Sequence, residues 1–134
     1  MYQNITLIGN LGKDPEMRYT PTGQAVTNLS LATNRQFNDS SGQRVKETTW
    51  FRISVWGKSA ENCNQYLQKG SKVLVEGRLN PDPATGCPRI WTRQDGTVGA
   101  SFEVTAHRVQ FLSSRNEENG YAEEEPVDDE PIPF

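Results

Sequence analysis

Residues 48–58 read Thr-Thr-Trp-Phe-Arg-Ile-Ser-Val-Trp-Gly-Lys, and they carry the clearest strand pattern of the chain. Successive side chains of a strand point to opposite faces, so Phe51, Ile53 and Val55 share one face. That apolar face predicts a contact with the core. The opposite face carries two of the three tryptophans among polar and charged side chains: Trp50, Arg52, Ser54, Trp56 and Lys58. Indole rings among polar and charged side chains predict a solvated, cationic sheet face.

Two exposed indoles beside positive charge favour nucleic-acid binding. Flat π surfaces accept bases by stacking, and neighbouring cations accept phosphates. The alternative is structural, because a tryptophan in a strand is often buried in a core or an interface, and a bulge near Trp56 would turn that ring inward. This stretch by itself leaves both interpretations open.

A third tryptophan repeats the arrangement further along the chain. Residues 89–93 read Arg-Ile-Trp-Thr-Arg, and the same alternation places Arg89, Trp91 and Arg93 on one face. A third indole beside cations, on a different predicted strand, makes a chance arrangement a weaker explanation and supports the nucleic-acid interpretation.

Charge is divided unevenly along the chain. Residues 1–115 hold all 14 Lys and Arg against 9 Asp and Glu, a net charge of +5, whereas residues 116–134 hold 8 acids and no base, a net charge of −8. The overall charge of −3 therefore averages a basic body and an acidic tail. Since a polyanionic partner responds to the charge of the folded part, the acidic average is no argument against nucleic acid.

Apolar alternation between turn-forming residues predicts further strands and the loops that join them. Strands are expected within residues 4–8, 25–33, 71–79, 89–93 and 101–111. Expected loops are a glycine-rich turn that starts at Gly9, a long hairpin tip over residues 34–45 and an irregular, proline-rich loop over residues 80–88. Val26 and Leu29 differ in parity, which predicts either a bulge or a strand that is buried on both faces.

One short helix is expected directly after residues 48–58. Ser59 is a suitable N-cap and Gly70 a suitable C′ residue, and apolar side chains recur at helical spacing between them: Ala60, Cys63, Tyr66 and Leu67. About five long strands with a helix between the third and the fourth match the OB-fold, an all-β, five-stranded Greek-key barrel. SH3-like barrels and sandwiches remain alternatives by strand count, and the fold alone does not give function.

The chain resembles the bacterial single-stranded DNA-binding protein (SSB) family in motifs that follow one another along almost its whole length. They are Gly-Asn-Leu-Gly-Lys-Asp-Pro-Glu-Met-Arg-Tyr (9–19), Leu-Ser-Leu-Ala-Thr (29–33), Thr-Trp-Phe-Arg (49–52), Trp-Gly-Lys (56–58), Tyr-Leu-Gln-Lys-Gly-Ser (66–71), Val-Glu-Gly (75–77) and the acidic end Asp-Asp-Glu-Pro-Ile-Pro-Phe (128–134). The resemblance implies an OB-fold that assembles as a homotetramer and binds single-stranded DNA without sequence preference.

The resemblance also implies which side chains contact DNA. The family's base-stacking aromatics correspond to Phe37, Trp50, Trp56 and Trp91, and its phosphate-contacting bases correspond to Arg18, Arg52, Lys58, Lys69 and Arg89. Residues 80–88 are longer and richer in proline than the family's usual hairpin, so the contacts around Arg89 and Trp91 carry over less directly.

The chain is expected to divide into an OB-fold DNA-binding domain, residues 1–112, and a disordered acidic tail, residues 113–134. Few large apolar groups are available in the tail, so it can bury too little surface to fold. By resemblance, the tip of the tail recruits replication, recombination and repair proteins through Asp128, Asp129, Glu130, Pro131, Ile132, Pro133 and Phe134. The alternative is a plain solubilising tail.

No catalytic, metal-binding or cofactor-binding constellation is expected. The possible zinc ligands Cys63, Cys87 and His107 are too few, and the acids that a nuclease would need are scattered. We therefore expect a protein that is not an enzyme, with a pure protein-interaction module as the other alternative, since exposed rings are also common at interfaces. No export signal or membrane segment is recognised, which predicts a cytoplasmic protein, by resemblance bacterial and associated with the nucleoid.

Overall fold

The computed structural model describes residues 1–112, which form seven strands and one helix. In chain order these are β1 (Ile5–Leu11), β2 (Glu16–Tyr19), β3 (Ala25–Asn38), β4 (Arg44–Trp56), α1 (Lys58–Tyr66), β5 (Lys72–Leu79), β6 (Arg89–Thr92) and β7 (Val98–Phe111). The predicted tail, residues 113–134, lies outside the described residues. Among residues 1–112, no helix is long and apolar enough to cross a bilayer.

Five of the strands close into a barrel. The strands neighbour one another in the order β1, β5, β7, β4, β3, and β1 returns to β3 through the pairs Asn10↔Ala32 and Leu11↔Leu31. The β4–β7 contact is parallel and the other pairings are antiparallel. Helix α1 connects β4 to β5, which are the third and fourth barrel strands in chain order. The predicted OB-fold is therefore confirmed, with β2 and β6 as short additions to it.

The apolar face predicted for residues 48–58 lines the barrel core, with Ile53 and Val55 fully buried and Phe51 only partly buried against it. Ile53 and Val55 of β4 are buried, and they pack with apolar residues from the other barrel strands and from the helix: Leu29, Leu31, Cys63, Leu67, Val73, Val75 and Val104. Helix α1 covers one end of the barrel, where the buried Thr27 hydroxyl donates a 2.7 Å hydrogen bond to the carbonyl oxygen of Ala60. That bond satisfies a polar group inside an apolar layer.

Strand β1 is longer than the sequence predicts. A turn was expected from Gly9, but β1 continues to Leu11 because its residues pair with β5 as far as Asn10↔Lys72. A Cβ on Gly9 would collide with the carbonyl oxygen of Ala32, so glycine permits the close approach of β1 and β3 where the barrel closes. The glycine that suggested a loop is a packing requirement of the strand.

Strands β3 and β4 form a hairpin arm that extends beyond the barrel. Residues 34–45 were expected to be a loop, but the ladder continues to the pair Asn38↔Arg44. The turn is tightened by the Asp39 carboxylate, which accepts hydrogen bonds from Ser41 and from the Gln43 N–H. These bonds, first the one from the Ser41 hydroxyl, lower the pKa of Asp39. The β3–β4 register is unbroken, so the mixed parity of Val26 and Leu29 reflects burial on both faces and not a bulge.

The helix begins at Lys58, and its N-cap is Gly57 and not the predicted Ser59. Gly57 has a φ of 72°, which reverses the chain directly after β4 in a conformation that glycine adopts without strain. The helix ends at Tyr66, and Gly70 lies in the following turn, where its N–H donates to the carbonyl oxygen of Leu11. Tyr66, expected to face the core, is the last residue of the helix and is exposed. Leu67, which follows it, is buried.

Candidate nucleic-acid interface

The polar face of β4 points to solvent, as its alternation predicts. Trp50 is 52% exposed and Trp56 is 41% exposed, with the exposed Arg52 between them. The unbroken β3–β4 register excludes a bulge that would turn Trp56 inward. The interpretation of these two rings as core residues is therefore wrong.

Short side chains surround the rings on the neighbouring strand. Trp50 pairs with Ala32, Arg52 with Ser30 and Ser54 with Asn28, and paired residues share a sheet face. Because Ala32 is small, the Trp50 indole stands above the sheet surface, and the Trp56 indole lies beside Val26, which is itself buried. Such a surface leaves room for a planar ligand against each ring.

Trp50 lies against the loop that follows β1. A Cβ on Gly12 would be 2.5 Å from the Cζ3 atom of Trp50, and the Gly12 N–H is held by the Ser30 carbonyl oxygen at 2.8 Å. Carbon atoms in contact are about 3.5–4.0 Å apart, so only glycine accommodates the ring at this distance. The loop thus supports one side of the indole.

Strand β7 extends the same face toward the third tryptophan. Its parallel register with β4 pairs Arg52 with Glu103. On its other side β7 pairs with β6, where Arg89 is opposite Ser101 and Trp91 is opposite Gly99. Glu103, Ser101 and Gly99 alternate along one face of β7, so the register brings β4 and β6 side chains to one surface. We call this surface the aromatic face, defined by Trp50, Arg52, Trp56, Arg89 and Trp91.

The aromatic face borders an open groove between β4 and β7. The groove has a volume of about 440 Å³ and is lined by Glu47, Thr48, Thr49, Trp50, Ala100, Ser101 and Phe102. Its lining includes one carboxylate and no lysine or arginine, so the positive charge lies beside the groove, on Arg52 and Arg89.

Trp91 is confined on the β6–β7 hairpin. Its exposed fraction is 37%, its ring lies against Gly99, and the guanidinium carbon of Arg93 is 5.9 Å from the ring centroid. The turn that follows is fixed by Asp95, whose carboxylate accepts hydrogen bonds from the N–H and hydroxyl of Thr97. These bonds, first the one from the N–H, lower the pKa of Asp95. The predicted grouping of Trp91 with cations on one face is observed.

Arg89 is paired with a carboxylate on the aromatic face. Its Nε is 3.5 Å from the Oε1 of Glu103, and the Ser101 hydroxyl donates a 3.0 Å hydrogen bond to the other carboxylate oxygen. Glu103 is the register partner of Arg52 as well, so one acid lies between two of the predicted phosphate-contacting arginines. Alternation alone put Glu103 on the polar side of β7, but its place beside both arginines depends on the barrel.

Phe37 is separate from the aromatic face. It lies on the outer part of the hairpin arm and follows the parity of Leu29 and Leu31. The guanidinium carbon of Arg35 is 4.4 Å from the Phe37 ring centroid, and Arg35 forms a 3.0 Å ion pair with Glu47. One side of this ring is therefore already covered by a cation.

The remaining predicted cations surround the aromatic face at different places. Arg18 pairs with Val26, which in turn pairs with Trp56, so these three residues form one row across β2, β3 and β4. Lys58 is the first residue of α1, two positions after Trp56, and is exposed. Lys69 lies on the turn between α1 and β5, where its N–H donates to the Asp14 carboxylate at 2.8 Å. The structure therefore brings Arg18 and Lys58 near Trp56 and puts Lys69 on a separate turn.

Sequence reasoning missed the two glycines that support the rings. Gly12 was read as a turn former, and Gly99 attracted no attention, because neither carries a side chain that suggests binding. The only available signal for Gly99 was its place opposite a tryptophan in a predicted hairpin. Among residues 1–112, no group of three His, Cys, Asp or Glu side chains could hold a metal ion.

The sequence matches a known family. Residues 2–112 match the model of the "Single-strand binding protein family". A "Single-stranded DNA-binding protein" from Neisseria meningitidis serogroup A is 42% identical over 118 residues, which cover 88% of this chain and 64% of that protein. A protein of the same name from Wolinella succinogenes is 39% identical over 120 residues, 90% of this chain and 70% of that protein. The chain thus spans a little under two thirds of the Neisseria relative.

Solved structures show the same fold. The "Plasmodium falciparum SSB complex with ssDNA" superposes with a TM-score of 0.68 at 27% identity and covers 84% of this chain and 97% of that one. A single-stranded DNA binding protein from Thermus aquaticus gives a TM-score of 0.65 at 34% identity, covering 84% of this chain and 51% of that one.

Proposed function

Because the chain belongs to the single-strand binding protein family, we propose that it binds single-stranded DNA without sequence preference and protects it during replication, recombination and repair. The aromatic face is the observation that carries this proposal. Three exposed indoles and two arginines share one surface of a domain whose relatives include a structure with bound single-stranded DNA.

Stacking supplies affinity that is indifferent to sequence. Every base has a π face, and each stacked base contributes about 1–3 kcal/mol by alanine substitution, so three tryptophans contribute on the order of 3–9 kcal/mol before non-additivity. Phe37 on the hairpin arm is proposed as the fourth ring, with its side away from Arg35 available to a base. In a duplex the bases are stacked on one another, so no base face is available to these rings. This explains a preference for single strands.

Contacts to phosphates supply the salt-dependent part of the affinity for DNA. Each phosphate neutralised on a single strand contributes about −0.7 to the slope of log K against log salt. The proposed contacts are Arg18, Arg52, Lys58, Lys69 and Arg89, which are all exposed. The Arg89 side chain is 48% exposed although that of Glu103 is only 18% exposed, so solvent screens the 3.5 Å pair on the arginine side and phosphate can replace the carboxylate.

Assembly as a homotetramer is proposed on the edge of β1. Among the described strands, β1 pairs with β3 only at Asn10 and Leu11, so the edge over residues 5–9 has unused backbone donors and acceptors. Ile8 on this strand is 52% exposed. An unpaired edge with an exposed apolar side chain suits strand pairing with a second copy. Light scattering tests this, with four times the 15.1 kDa chain mass as the expected result.

Partner recruitment is proposed for the acidic tip, residues 128–134, which lies outside the described residues. Its sequence combines the acids Asp128, Asp129 and Glu130 with the apolar group Pro131, Ile132, Pro133 and Phe134. An apolar-plus-anionic segment fits a pocket with a basic rim on replication, recombination and repair proteins. The proposed domain division is a DNA-binding body, residues 1–112, and this tail, residues 113–134, in a protein of the bacterial cytoplasm at the nucleoid.

Titration with poly-dT tests DNA binding directly. Stacked bases should quench tryptophan fluorescence, an equimolar duplex should not compete, and the oligonucleotide should be recovered uncut. Trp50→Ala should weaken binding, whereas Tyr2→Ala, which removes an exposed ring that precedes β1, should not. Cleavage of the oligonucleotide would identify an enzyme, and an absence of any fluorescence response would favour a protein-interaction module.

A further inference from the structure

The indole of Trp91 lies where Gly99 lacks a side chain. Gly99 faces Trp91 across the β6–β7 ladder. A Cβ on Gly99 would be 2.7 Å from both Cε2 and Nε1 of the indole and 2.7 Å from Nη2 of Arg93. These separations are about 1 Å shorter than ordinary carbon contacts, so the present ring position requires glycine at 99.

The obstruction at Gly99 differs from that at other strand glycines. On Gly77 a Cβ would collide with the backbone of Thr105 and Ala106, which cannot move without breaking the ladder. On Gly99 the nearest atoms belong to side chains on a short hairpin, and the φ of Gly99 is not positive. Alanine at 99 is therefore compatible with the strand, and the groups that must move are the indole of Trp91 and the guanidinium of Arg93.

Arg93 closes the other side of the Trp91 site. Its Nη1 donates a 3.0 Å hydrogen bond to the Val98 carbonyl oxygen, so the guanidinium is tied to β7 beside the ring. The Arg93 N–H also donates to the Thr97 carbonyl oxygen at 2.7 Å, which closes the turn. A Cβ at 99 therefore displaces the ring away from β7 and strains the guanidinium that is bonded beside it.

We propose that Gly99 is a positioning residue for DNA binding: the bare α-carbon lets the Trp91 indole lie against β7, at the orientation in which its exposed part meets a base. This inference rests on the proposed function, because it requires Trp91 to stack on single-stranded DNA. It adds a residue that itself offers DNA no side chain and acts only through the ring.

A double-mutant cycle on the full chain tests the inference. Binding of labelled poly-dT is measured for wild type, Gly99→Ala, Trp91→Ala and the double variant. Trp91→Ala should weaken binding about 5- to 150-fold, the equivalent of one lost stack. Gly99→Ala should weaken it at least about threefold, a part of that same stack, and the double variant should bind no worse than Trp91→Ala alone. Val98→Ala, an exposed neighbour on the opposite face of β7, should leave affinity unchanged.

Fluorescence and thermal melting separate positioning from damage to the fold. In a chain with Trp50→Phe and Trp56→Phe, Trp91 is the only tryptophan, and Gly99→Ala should change its iodide accessibility and reduce its quenching by poly-dT. Any loss of melting temperature in Gly99→Ala should become smaller when Trp91→Ala is added, because the ring is gone and only the flexible Arg93 side chain still obstructs the Cβ.

Three results would overturn the inference, and they differ in whether the proposed DNA contact of Trp91 also fails. Unchanged affinity in Gly99→Ala, while Trp91→Ala binds weakly, removes the role of Gly99 and leaves the proposed function standing. An equal loss from Gly99→Ala in both backgrounds means that the glycine serves the hairpin and not the ring. Unchanged affinity in Trp91→Ala removes Trp91 from the proposed DNA contacts, and the inference with it.

Discussion

The carboxylate of Glu103 lies 3.5 Å from the Nε of Arg89 and is the register partner of Arg52 on the neighbouring strand. A negative charge therefore lies between two arginines on the surface that is proposed to bind a polyanion. Solvent reaches the Arg89 side chain, which is 48% exposed, and a pair screened in this way contributes only about 0–1 kcal/mol to folding, so stability alone gives little reason for an acid at this position. Its larger effect is on the field that a phosphate meets.

Glu103→Gln should tighten DNA binding. Removing the carboxylate raises the local charge by one unit and frees Arg89 for phosphate, so we expect about two- to fivefold tighter binding to poly-dT at low salt, and a smaller gain as salt screens the charge. Glu76→Gln, which breaks the comparable 3.0 Å pair with Arg108, is the matched control and should have little effect. Weaker binding by Glu103→Gln would mean that the carboxylate is needed to orient Arg89.

Arg52→Gln should reduce the salt dependence of binding. If Arg52 neutralises one phosphate, the slope of log K against log salt should become less negative by about 0.7. Arg108→Gln removes an equally exposed arginine that is bonded to Glu76 and Gln110, and it should leave the slope unchanged. Titrations at several salt concentrations measure both slopes, and equal slopes for the two variants would exclude Arg52 as a phosphate contact.

Gly9→Ala and Gly12→Ala should separate stability from binding. At Gly9 the obstruction is the backbone of Ala32, so overpacking should cost about 1–3 kcal/mol of unfolding free energy. At Gly12 the obstruction is the ring of Trp50, so the ring should move, the melting temperature should change little, and poly-dT should bind more weakly. Thermal melts and titrations on both variants check this. If Gly12→Ala lowered the melting temperature and Gly9→Ala weakened poly-dT binding instead, the ring contact at Gly12 would be contradicted.

The two thiols should differ in reactivity and in their effect at high pH. Cys63 is buried and burial raises the pKa of its thiol to about 11, whereas Cys87 is exposed. Ellman's reagent should therefore titrate one thiol in the folded protein and two after denaturation.

The raised pKa of Cys63 makes the stability of the fold depend on pH in the alkaline range. The unfolded thiol loses its proton near pH 9.0 and the folded one near 11, so the stabilisation is complete below about pH 9 and falls as the pH rises toward 11. Cys63→Ala should remove this alkaline component of the melting profile, although it creates a small cavity. Persistence of that component in the variant would assign it to another group.

Removal of residues 116–134 should tighten DNA binding at low salt. Residues 1–115 carry a net charge of +5 and residues 116–134 carry −8, so a tethered tail competes with DNA for the same cations. Because the competition is electrostatic, it should vanish at high salt. Paired titrations of the full chain and the shortened chain measure it, and equal affinities at low salt would show that the tail does not reach the aromatic face.

Much of the fold was predictable because strand alternation and helix spacing are local. The exposure of Trp50 and Trp56 and the burial of Ile53 and Val55 follow from a period of two, and the position of the helix identified the barrel. Boundaries were less predictable. Gly9 favours a turn locally, but pairing with β5 and closure against β3 keep it in a strand.

By itself, the amino-acid order determined which side chains share a strand face, the separation of basic body from acidic tail, and family membership. Only the closed barrel decided that Glu103 pairs with Arg89 and is the register partner of Arg52, that Trp91 joins the surface of Trp50, and that Gly12 and Gly99 support the rings. The reason is that these contacts join residues far apart in sequence or on different strands. Their distances depend on the register between strands and on the closure of the barrel, which the alternation within one strand does not give.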